Sequence, residues 1–171
     1  MQLLIRNKWV SLGGSSVVKD VNENDYLKVK GKIFTFTSKK FVTDLNDNLL
    51  YIVRNKFWKL FIHRAFVLDK EGNKVATVRR KFWSLHDRYF IDSTLGQLEI
   101  TGNILSFDYH IILNGREIGH IARRISLRDS FVLDIQDDVD IPFFVALVIA
   151  IDNIRDRKAD ENSSSFSSSN D

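Results

Sequence analysis

The chain predicts a mainly β protein, with ten to twelve short antiparallel strands closed into a barrel around one hydrophobic helix near the C-terminus. Three observations predict it. A unit recurs along the 171 residues, with starts 24, 24 and 25 residues apart. Each unit reads as two short strands of alternating polarity. The stretch IPFFVALVIAI at 141–151 then carries no polar side chain over eleven residues.

The repeat is visible when Ile5-RNKWVSL, Val29-KGKIFTF, Val53-RNKFWKL and Val78-RRKFWSL are laid over one another. Each copy begins with an aliphatic residue and a basic one, continues to a Lys (Lys8, Lys32, Lys56, Lys81), and ends in aromatic and aliphatic residues. A second apolar run follows and closes on Asp: SSVVKD20, KKFVTD44, RAFVLD69 and DRYFID92. A looser copy starts at Ile121 and ends at Asp134, and Leu98–Leu113 keeps the alternation without the signature. Repeats of this length belong to architectures built by stacking one small unit. Runs rich in Val, Ile, Phe and Tyr with period two are strands. The segments between them, DVNEND, DLNDN, DKEGN, DSTLG and LNGRE, supply the Asp, Asn and Gly that tight turns need. A meander of that many strands curls or closes, and closure removes its unpaired edges. The Gly-rich LGGSS at 12–16 is read as another hairpin turn rather than a phosphate cradle.

The run 141–151 is too short to cross a bilayer, which takes about 20 apolar residues. It reads as a buried helix. Asp137, Asp138 and Asp140 precede it, where carboxylates complement the positive helix start and Asp140 can cap it. Pro142 falls in the first turn, where its missing N–H does no harm. Arg155, Arg157 and Lys158 lie near the far end, where cations suit the dipole. A helix apolar on every face must be surrounded on every face, and only a closed barrel does that. The predicted organisation is therefore one domain over 1–157, with its helix at about 140–157, and a disordered Ser-rich tail at 158–171.

Charge is unevenly placed. Residues 1–133 hold 22 Lys/Arg against 13 Asp/Glu, net +9, while residues 134–171 hold 3 against 9, net −6. A basic body points to an anionic partner, a lipid head group or a nucleic acid. The absence of Cys excludes disulfides, thiol nucleophiles and Cys-based metal sites, and fits a reducing compartment. No catalytic or nucleotide-binding signature is present. The four His residues, His63, His86, His110 and His120, are scattered and share no helical ligand spacing.

In a strand, alternate residues share a face. Arg54 pairs with Lys56 in this sense, Arg79 with Lys81, Arg6 with Lys8 and Lys30 with Lys32. An apolar interior forces these pairs outward, as a basic band on the barrel wall. The candidate anion-binding residues are Arg54, Lys56, Arg79, Arg80, Lys81, Arg123 and Arg124, with Trp9, Trp58 and Trp83 available at a membrane interface.

These residues together resemble the LURP-one-related family: the repeated V-R-x-K-F-W-x-L, the F-V-L-D runs and the late hydrophobic helix. The resemblance covers about residues 1–157. It implies the tubby C-terminal-like fold, a twelve-stranded antiparallel barrel around a central hydrophobic helix, shared with tubby proteins and phospholipid scramblases. The tubby branch binds phosphoinositides through basic barrel residues. The scramblase branch carries a Cys-rich segment and a calcium-binding stretch. This chain has neither, for Asp134-IQDDVD140 lacks the Gly and the terminal Glu of an EF-hand loop. Compact members of the LURP-one-related branch have no established activity. The expectation is a non-enzymatic binding or scaffold domain, without cofactor or metal, recognising anionic phospholipid through a basic face. It is read as a monomer of the cytoplasm, peripheral to the membrane rather than crossing it. The alternative is a nucleic-acid-binding or protein-interaction module, and nucleic acid is disfavoured because no known binding motif is present.

Overall fold

The structure, a computed structural model, describes residues 1–6, 15–31, 39–55, 64–80, 87–103, 108–123 and 130–166, without the side chains of Arg6, Asp87, Arg123 and residues 155–166. Twelve strands follow in chain order. They are β1 (Gln2–Arg6), β2 (Ser15–Asp20), β3 (Asp25–Gly31), β4 (Lys40–Thr43), β5 (Leu49–Asn55), β6 (Arg64–Asp69), β7 (Lys74–Arg80), β8 (Asp87–Ser93), β9 (Gly96–Asn103), β10 (Asp108–Leu113), β11 (Arg116–Arg123) and β12 (Ser130–Ile135). One helix, α1 (Ile141–Phe166), ends the description. Each strand pairs antiparallel with its sequence neighbour, and β1 closes on β12 through five registered pairs from Gln2↔Asp134 to Arg6↔Ser130. Among the described strands no sheet edge is left open.

Three of the turns at one rim are copies of one device. In DVNEN, DLNDN and DKEGN the first Asp receives two hydrogen bonds from the Asn four residues on. Its Oδ1 accepts from the Asn backbone N–H at 2.9, 2.8 and 2.7 Å, and its Oδ2 from the Asn side-chain amide at 2.9, 2.7 and 3.0 Å. The fourth residue of each turn takes positive φ: Glu23 at 65°, Asp47 at 67° and Gly72 at 88°. Glycine meets that demand without a Cβ clash, and Glu23 and Asp47 meet it under strain.

Just beyond each of these turns the ladder slips by one residue. Val18↔Leu27 is followed by Lys19↔Asp25, Val42↔Tyr51 by Thr43↔Leu49, and Val67↔Ala76 by Leu68↔Lys74. Tyr26, Leu50 and Val75 are thus the extra residues, and all three pack against the core. A fourth slip, between Ile111↔Gly119 and Ile112↔Glu117, makes Ile118 extra in β11. Bulges bend a strand and increase its twist. Four of them around one rim are how a flat meander becomes a closed wall.

The interior is apolar and continuous. Every strand contributes at least one side chain to a single core cluster, from Ile5 and Val18 through Val53, Val78 and Ile100 to Leu133. The helix is part of it. Phe143–Ile151 and Ile154 are buried around the full circumference of α1. No one-sided packing could achieve that, so the helix occupies the barrel interior, nearest β5 and β6. Its entry is held by Asp140. Oδ1 accepts the Phe143 backbone N–H at 3.1 Å, and Oδ2 accepts the Tyr51 hydroxyl. Burial and then the Asp140 carboxylate raise the Tyr51 pKa above its ordinary value, so the hydroxyl stays a donor. Tyr51 and Phe143 also meet edge to face at 5.7 Å. Sequence reasoning ended the helix at about 157 and began a disordered tail at 158. The helix instead runs to Phe166, since Asp156-RKADEN contains strong helix formers and nothing that stops a helix. Residues 167–171 and the LGG of 12–14 lie outside the described residues.

Candidate functional site

Strand parity decides which side chains reach the outer wall. In β5, Val53 and Asn55 are buried and Arg54 between them is exposed. In β6, Arg64 is exposed, Ala65 buried and Phe66 half-buried. In β7, Val78 is buried and Arg79 exposed. Registration then sets the neighbours. Arg54 stands opposite Phe66, Arg64 opposite Arg79, and Arg79 opposite Phe90. Three guanidinium side chains therefore share the outer wall of three adjacent strands, with two half-buried phenylalanines among them.

Ion pairing separates these cations. Arg79 Nη2 lies 2.5 Å from Asp92 Oδ2, which relieves the like-charge pair it makes with Arg64. Lys28 and Lys30 both reach Asp47, at 3.0 and 2.9 Å. Arg54 and Arg64 make no ion pair among the described residues. Of the sequence candidates, then, Arg54 and Arg79 stand on the wall as expected. Arg80 does not join them. Consecutive residues face opposite ways, so Arg80 turns inward, half-buried, opposite the buried Tyr89. Lys56, Lys81 and Arg124, and the three tryptophans, lie outside the described residues, as does the Arg123 side chain. Arg64 escaped the sequence reading because it precedes its strand's apolar run. The hairpin sum that places residue 65 opposite 78 would have found it.

The same wall carries a second cluster on β10 and β11. His110 stands opposite His120, with ring centroids 5.1 Å apart. His120 Nε2 is 2.5 Å from Asp108 Oδ1, and His110 Nδ1 is 2.9 Å from Glu117 Oε1. The Glu117 carboxylate holds the His110 imidazole above its ordinary pKa. The sequence expectation of scattered histidines fails for this pair, because a hairpin brings residues ten apart into direct opposition without any helical ligand spacing. His63 and His86 lie outside the described residues.

Beside β7–β9 a groove of about 520 Å³ is lined by Lys74, Val75, Phe90, Asp92, Gln97 and Leu98 among others. Two hydroxyls, Ser93 and Thr94, also line it, and Ser93 Oγ donates to the Gly96 carbonyl at 3.0 Å.

A closed twelve-stranded antiparallel barrel filled by its own C-terminal helix defines the class of protein. The LURP-one-related family model matches residues 1–152, and the chain belongs to that family. A crystal structure of an Arabidopsis thaliana protein superposes with a TM-score of 0.65 over 90% of each chain at 18% identity, which is likeness of fold alone. A search of the curated proteins found no match. No helix among the described residues is long and apolar enough to cross a membrane.

Proposed function

We propose that the protein is a non-enzymatic binding domain whose outer wall at β5–β7 recognises anionic phospholipid. The observation that carries this is the pair Arg54 and Arg64. Both are exposed on adjacent strands, neither has an acidic partner among the described residues, and the half-buried Phe66 stands opposite Arg54. Cations without intramolecular partners are available to phosphate, and an aromatic ring beside them suits the boundary between head group and acyl chain. Each such cation near an anionic surface contributes about 1 kcal/mol. Arg79, already held by Asp92, orients the patch rather than adding a free charge.

Co-sedimentation with vesicles of anionic against neutral lipid tests the reading. Salt-sensitive capture by anionic vesicles is expected, with Arg54→Glu plus Arg64→Glu lowering the binding constant at least tenfold. Equal capture by neutral vesicles, no capture, or full retention of binding by the double variant would overturn it.

A further inference from the structure

We propose that the β10–β11 hairpin is a binding site for a divalent transition-metal ion of the zinc type, with Asp108, His110 and His120 as its protein ligands. The ligand atoms of these three residues all lie within 4.8 Å of one another. Zinc bonds of about 2.0–2.2 Å in tetrahedral geometry place neighbouring ligand atoms about 3.3 Å apart. Small side-chain rotations bring the three into that range. An ion inserting between His120 Nε2 and Asp108 Oδ1 opens their 2.5 Å contact to the required separation.

Three features of the hairpin favour a built site over two incidental ion pairs. The ligands stand on paired strands: His110 and His120 are directly opposite, and Asp108 is two residues from His110 on the same face. Rotamer freedom is thus all that binding has to restrict. Glu117 engages His110 through Nδ1, so Nε2 is the ring nitrogen available to the ion. Metal-ligating imidazoles are regularly oriented by a carboxylate on the other ring nitrogen. Asp134 of β12, itself held by Gln2 at 2.7 Å, stands opposite His120 and adds negative charge around the pair. Two imidazoles with a carboxylate select borderline metals such as zinc over calcium or magnesium, which prefer oxygen alone.

Glu117 reaches this cluster only because of the bulge. Residues 117 and 120 have opposite parity, so a regular strand would send them to opposite faces. Ile118 is the extra residue, buried beside the half-buried, inward-facing Gly119, and it returns Glu117 to the outer wall. Gly119 has no room for a side chain. A Cβ there would sit 2.7 Å from the Asp134 carbonyl oxygen and 2.6 Å from Ile135 Cδ1. Bulges that re-aim a side chain recur beside functional sites.

Isothermal titration of the full chain with Zn²⁺, supported by the visible spectrum of the Co²⁺ form, tests the site. One ion per chain is expected, with the absorption of nitrogen- and oxygen-ligated tetrahedral Co²⁺ and with saturating Zn²⁺ raising Tm. His110→Gln and His120→Gln should each weaken binding at least tenfold. Both positions are on the outer wall, so unchanged far-ultraviolet circular dichroism should accompany them. His63→Gln plus His86→Gln should leave the affinity unchanged. Absence of one-to-one binding up to millimolar Zn²⁺, or undiminished affinity in the double His110→Gln, His120→Gln variant, would overturn the assignment.

Discussion

Glu23 and Asp47 occupy a backbone conformation that Gly72 holds without penalty at the equivalent place in the third turn. A non-glycine residue there costs on the order of 1–3 kcal/mol, and glycine gives back about 0.5–1 kcal/mol through its freer unfolded chain. Glu23→Gly should therefore stabilise the protein by about 0.5–1 kcal/mol, raising Tm by about 1–4 °C for a domain of this size. Asp47→Gly should gain less, because it also removes the partner of Lys28 and Lys30. Thermal melts of the two variants beside wild type decide this. A fall in Tm for Glu23→Gly would mean that the turn does not hold that residue in the left-handed region. The positions of the turns were legible in the sequence, because Asp and Asn at either end mark them. The strain in the first of them was not, since Glu at the fourth place carries no warning of positive φ, whereas Asp47 and Gly72 are residue types that visit it.

The Asp–Asn turn works as an element through its carboxylate. Asp20, Asp44 and Asp69 each have a pKa lowered from the ordinary 3.8, in every case first by the hydrogen bond from their Asn side chain. A carboxyl whose pKa is lower in the folded than in the unfolded state stabilises the fold at pH values above its unfolded pKa. That contribution is lost as pH falls through the folded value. Urea denaturation from pH 7 down to pH 2 should show stability falling below about pH 4. The triple variant Asp20→Asn, Asp44→Asn, Asp69→Asn should be less stable at pH 7 and should lose less on acidification. A wild type and variant with parallel pH profiles would remove the turns from the acid response.

Helix α1 is the element on which the whole barrel depends. Val148 lies in the middle of its buried stretch, 4% exposed. Val148→Asp would place an unpaired carboxylate in the core, at a cost of about 3–5 kcal/mol or more, against a total stability of about 5–15 kcal/mol. The variant should accumulate as insoluble or partly unfolded protein, and a soluble product with the wild-type Tm would be incompatible with an encased helix. Closure and filling support each other here. Twelve strands enclose more space than their own inward side chains occupy, many of which are no larger than Val, Ala or Ile. The helix supplies Phe143, Phe144, Leu147 and Ile149 to fill the remainder.

The repeat, the strands, the turns and the buried helix were determined by local sequence. Hydrophobic period, turn residues and caps act over a few residues, so they can be read without knowing what packs where. The outward stance of Arg54 and Arg79 followed from parity alone. What joins across strands did not. Ion pairs that neutralise Arg79 and spare Arg54, the appearance of Arg64 beside them, and the meeting of His110 with His120 all depend on register. Register is set by where each ladder slips. A bulge of one residue reverses parity beyond it, as Ile118 does for Glu117, and that slip lacks the Asp–Asn turn that stands beside the other three. The slip is imposed by closing twelve twisted strands around one helix, which only the assembled barrel decides.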